Sequence, residues 1–140
     1  MAALIHLWAA PEHFTHWWAY GVFFVAVALA QGLLSLLILR WPESNLVPPA
    51  GVWGNLVIVA MYVVSRTWGM PLGPNWVLFS PDVAHIEDPE VLGMTATAAE
   101  VGIIILLVAM MGDVQRRWTV NILLSLGVLV WGLRFLGILP

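Results

Sequence analysis

Apolar residues in this chain do not alternate with polar ones; they run on in four long stretches, over residues 17–39, 52–68, 92–111 and 118–139. A helix needs about 20 such residues to cross a hydrocarbon layer ~30 Å thick, and each stretch is long enough. The stretches are apolar all round rather than along one stripe, as helices surrounded by lipid are. The pattern therefore predicts an all-α membrane protein, an antiparallel four-transmembrane-helix bundle forming a single domain.

What lies between the stretches fits that reading. Residues 40–49 hold Pro42, Pro48 and Pro49 beside the charged pair Arg40 and Glu43, which stops one helix before the next begins. A still shorter polar turn from Gly112 makes spans three and four neighbours. The longest connection, residues 69–91, is punctuated by Pro71, Pro74, Pro81 and Pro89. Arg40, Arg116 and Arg117 all follow spans one and three, while the opposite loops hold no Lys or Arg. The positive-inside rule then predicts these two loops in the cytoplasm and both termini on the outer, periplasmic side. Residues 1–10 lack the basic start of a secretory signal, so the first apolar run is read as a retained span. Pro11 and Glu12 suit the first turn of a helix, and helix one is expected to begin there and extend outside the membrane. Tryptophans cluster at the span ends, among them Trp17, Trp18, Trp41, Trp68 and Trp118, as interfacial anchors do.

Composition sharpens the class. Of 140 residues, 61% are hydrophobic and 9% charged, where a soluble domain carries about a quarter of its residues as charges. A net charge of −3 with no lysine leaves no basic surface for nucleic acid. The absence of cysteine removes disulfides, thiol nucleophiles and thiolate-held metals together. No nucleophile–base set is visible, so an enzymatic role would require a metal or a borrowed cofactor.

Ionisable residues inside a span cost several kcal/mol unless paired, and each is a functional candidate. Glu100 sits well inside span three, while Arg66 and Arg134 lie near the outer ends of spans two and four, within reach of the same layer. A Glu100 ion pair with Arg66 or Arg134 is the expected arrangement; functionally, the carboxylate would take a cation or proton and the arginines an anionic group of a cofactor. His13 and His16 are i, i+3 neighbours, a spacing that can bring two imidazoles to one metal. The long outer loop adds His85 amid four carboxylates, and His6 is expected on the same side. Imidazole with carboxylate suits a transition-metal ion such as Cu, Zn or Fe. No histidine is expected at mid-span, which argues against haem. Gln31, Asn55 and Asn121 are read as helix-to-helix hydrogen-bonding residues.

The run from Glu12 through Phe24, the run from Gly54 through Pro71 and the acid-rich stretch leading to Glu100 resemble a group of small bacterial four-span membrane proteins. The resemblance covers most of the chain and implies a bacterial plasma membrane, with no activity attached. In that group a glutamate often stands where this chain has His16, so His13, Arg66 and Glu100 are the shared positions. Three readings follow: an outward-facing metal site built from His13, His16, His85 and Glu100; a non-catalytic accessory subunit of a larger membrane complex; and a small oligomeric carrier or channel with Glu100 as its gate or proton site.

Overall fold

A computed structural model of the protein describes residues 1–67, 69 and 90–137. They form five helices: α1 (Ala2–His16), α2 (Trp18–Arg40), α3 (Val47–Thr67), α4 (Val91–Met110) and α5 (Asp113–Phe135). The last four are each long and apolar enough to cross a membrane, with mean hydropathy between 1.5 and 2.6. The chain is thus a multi-pass, all-helical membrane protein.

The boundaries follow local chemistry. α3 begins five residues before its apolar run because Pro48 and Pro49 fall in the first turn, where a missing N–H breaks no helical bond. The Ser44 hydroxyl accepts the N–H groups of Leu46 and Val47, occupying donors that the helix start leaves free. α5 likewise starts ahead of its apolar stretch, with Asp113 favourably placed at the positive end of the helix. The turn between α4 and α5 is therefore only Met111 and Gly112. Gln115 Nε2 donates to the Asn45 carbonyl at 2.7 Å, so the two short connections meet at one end of the molecule.

Helix one does not start at Pro11. A separate helix, α1, runs from Ala2 straight through Pro11 to His16, and the chain breaks at Trp17, whose backbone is extended (φ −164°, ψ 134°). Residues 2–10 are rich in Ala and Leu, the strongest helix formers. Their buried positions Ala2, His6, Ala9 and Ala10 fall on one face. From the break α1 folds back along α2. Phe14 packs on Gly21 so closely that a Cβ there would overlap its ring, and the Phe24 ring meets those of His6 and His13. Ala2 and Ala3 end beside Gln31, Leu34 and Ile38.

Helices approach elsewhere through small residues. A Cβ on Gly51 of α3 would lie 2.6 Å from Leu107 and 2.9 Å from Leu34, so α2, α3 and α4 converge on this glycine. Around it sits the apolar core of Val52, Leu107 and Met111, with Ile103 and Leu123 packed against it. Most large apolar side chains instead face outward, Leu29 and Leu39 among them, as lipid contact demands. α5 is the least embedded helix, with Thr119 its one buried residue among those described.

Candidate functional site

Glu100 occupies the tenth position of the twenty-residue α4, roughly 14 Å from either end at 1.5 Å per residue. It is 1% exposed, among the most completely buried side chains of the molecule. A carboxylate at that depth needs a partner, and α1 supplies it. His6 Nε2 lies 2.6 Å from Glu100 Oε1, with His6 itself 6% exposed. The residues on either side of His6 on its buried face, Ala2, Ala9 and Ala10, are small, which lets α1 settle deeply enough for the imidazole to reach α4.

The ion pair expected with Arg66 or Arg134 gives way to this histidine. Among the described residues the partner of the carboxylate is His6. Arg66 instead lays its guanidinium over the Tyr62 ring, 5.0 Å from its centroid, and both pack against Gly93 of α4, where a Cβ would crowd the Tyr62 ring at 2.9 Å. Arg134 lies in the last turn of α5 and is exposed. Tyr62 Oη is buried with no hydrogen-bond partner among the described residues.

Phe24 joins the pair to the other histidines. Its ring meets His6 edge-on at 5.6 Å and stacks on His13 at 3.7 Å. The His13 and His16 rings are 6.5 Å apart. Each donates from Nδ1 to the carbonyl four residues back, Ala9 for His13 and Glu12 for His16, because a carbonyl can only accept. In the neutral ring this leaves Nε2 of both with a lone pair. His85 lies outside the described residues. Among those described, no three of His, Cys, Asp and Glu are grouped to hold a metal ion.

Toward the end bearing the short connections, a second polar layer crosses the bundle. Gln31 Nε2 donates to Asn55 Oδ1 at 3.1 Å, and Asn55 Nδ2 donates to the Gly51 carbonyl at 2.8 Å, which fixes both amides. Here Gln31 and Asn55 make the inter-helix bond expected of them, whereas Asn121 is exposed on α5.

The pair can hold a proton in two ways without net charge: imidazolium with carboxylate, or imidazole with carboxylic acid. A further proton makes the pair positive and loss of one makes it negative, and either charge is costly in an apolar interior.

Comparison with known proteins finds no family model, no curated protein and no solved structure that matches the chain.

Proposed function

We propose that the protein is a small membrane carrier whose working group is the His6–Glu100 pair, taking up a proton at mid-depth and releasing it. The observation that carries this reading is the 2.6 Å contact between two ionisable side chains, both more than nine-tenths buried, halfway along a membrane-spanning helix. A pair serving only to fasten helices is a poor device. Well-packed apolar residues of similar volume hold as well or better, because two charged or strongly polar groups must first be desolvated. A titratable pair, by contrast, is what proton relays are built from.

The charge asymmetry gives the path a direction. The ends of the molecule are those carrying Arg40, Arg116 and Arg117 and the one carrying Glu12, His13 and His16. Under the positive-inside rule the basic end faces the cytoplasm of a bacterial plasma membrane, with the spans antiparallel and the histidine-bearing end periplasmic.

Purified protein in liposomes loaded with a pH-sensitive dye tests the idea. Under an imposed potential, the wild type is expected to acidify the lumen faster than empty liposomes, and Glu100→Gln and His6→Leu to return the rate to that background. Wild-type flux equal to that of Glu100→Gln would sink the proposal.

A second reading is favoured by the paired Nε2 lone pairs of His13 and His16. Metal-bound imidazoles characteristically donate their other N–H to a carbonyl, as both do. A transition-metal site here would draw further ligands from His85 or nearby carboxylates. Zinc and copper titrations separate the cases: equal affinity in wild type and His13→Ala/His16→Ala removes the metal site and leaves the proton site untouched.

A further inference from the structure

Gln31 carries an acceptor that the protein leaves unanswered. Asn55 Nδ2 is committed to the Gly51 carbonyl, so its Oδ1 takes the Gln31 amide nitrogen, and Gln31 Oε1 is left without a hydrogen-bond partner among the described residues. Gln31 is 6% exposed and lies well inside the apolar stretch of α2, where such an orphan is costly.

The same side chain lines a cavity of about 210 Å³ walled by α1, α2 and α4. Gln31 turns its amide nitrogen to α3, which forms no part of that wall, and its oxygen away from α3. The first residues of α1, Ala2 and Ala3, form another side. No side chain caps α1, and the first N–H groups bonded within it are those of Leu4 and Ile5, both to the Met1 carbonyl. The N–H groups of Ala2 and Ala3 therefore have no acceptor in their own helix. Ser35, whose hydroxyl donates to the Gln31 carbonyl, adds an oxygen with lone pairs to spare. Donors and acceptors thus meet around one space among apolar residues. An acyl chain satisfies none of them, and an anion would be repelled by the two oxygens. Water donates to the one kind and accepts from the other, and a cavity of this size holds several.

Position gives that water a use. Ala2 stands one turn before His6 on the same face of α1, and Ile103, on the α4 wall, stands three residues beyond Glu100, roughly 5 Å along the axis. From Ile103 the wall continues to Met110, the last residue of α4, roughly 10 Å nearer the end bearing Arg40, Arg116 and Arg117. With 15 residues against 23 and 20, α1 stops short of the ends of α2 and α4, and the cavity is the space beyond its start. We propose that this cavity is a water-filled vestibule through which the His6–Glu100 pair exchanges protons with the basic end of the molecule. The inference rests on the proton reading of the pair.

The chain has no cysteine, so single thiols report on their surroundings. A thiol reacts as the thiolate, which forms in water and not in hydrocarbon. In lipid nanodiscs, where both faces are open, a small charged methanethiosulfonate is expected to modify Ser35→Cys and Ile103→Cys on the order of tenfold faster than Leu36→Cys and Ile105→Cys. The last two positions are 64% and 63% exposed but lie outside the cavity. Adding Ala3→Leu, which fills the space at the start of α1, should slow Ile103→Cys to the rate of those two controls. In liposomes, modified Ser35→Cys is expected to lose proton flux down to the Glu100→Gln background. Equal slow rates at all four thiols, as an acyl chain in the cavity requires, or flux unchanged by the modification would overturn the proposal. Slow labelling with wild-type flux intact strikes the vestibule alone, whereas fast labelling with wild-type flux no greater than that of Glu100→Gln strikes the proton reading.

Discussion

His6 and Glu100 depend on each other more than their single short contact suggests. Removing one partner leaves a buried ionisable group with nothing to offset its desolvation, and this is where the large energies lie. His6→Leu is expected to destabilise the folded protein by about 3 kcal/mol, and Glu100→Leu by about 2 kcal/mol or more. The double replacement should recover most of the loss, because both polar groups then leave together. Unfolding titrations in mixed micelles supply the cycle; strictly additive losses would mean that the pair does not couple in the protein. The double variant also divides stability from function, since it should fold yet conduct no protons. In the sequence, Glu100 stood out as a carboxylate within an apolar run, but its partner did not. His6 sits in a ten-residue segment that is too short to span. Its role shows only through the Ala2, His6, Ala9 and Ala10 face, a pattern of small residues that composition and hydropathy pass over.

Among elements, glycines reveal which helices truly touch. A methyl group at Gly21 or Gly51 would overlap Phe14 in one case and Leu34 and Leu107 in the other, whereas nothing lies within 4 Å of one at Gly32. Gly21→Ala and Gly51→Ala are each expected to cost about 1–3 kcal/mol through overpacking. Gly32→Ala should be neutral or slightly stabilising, from better helix propensity. Thermal unfolding of the three variants gives the order, and a loss at Gly32 matching that at Gly51 would contradict the packing described. The four spans were legible because continuous apolar runs set their own length against the bilayer. Their ends were not, since hydropathy marks where lipid stops and the hydrogen-bonded helix goes on: Asp113, Arg116 and Arg117 are charged yet helical. α1 escaped for a related reason. Pro11 reads as a helix start, but here it is accommodated within a helix packed along α2 through Phe14, His6 and His13.

At the scale of the molecule, the two ends of the bundle differ in charge. The connections after α2 and α4 meet through Gln115 and Asn45, which gathers Arg40, Arg116 and Arg117 at one end, while the α1–α2 break at Trp17 lies beyond the other ends of those helices. Translocating arginine against the membrane potential is costly, so the basic end is expected to stay in the cytoplasm. Single thiols again give the measurement. In intact cells a membrane-impermeant maleimide is expected to modify Thr15→Cys and to leave Glu43→Cys unmodified until the cells are lysed; both positions are exposed on the protein. The reverse labelling would turn the protein over in the membrane. It would then place His13 and His16 in the cytoplasm and reverse the side from which His6 and Glu100 receive a proton, without altering the pair itself. Labelling of Thr15→Cys and Glu43→Cys from one side only would be more serious, since α2 could not then cross the membrane between them and Glu100 would lose the apolar surroundings on which its proposed chemistry depends.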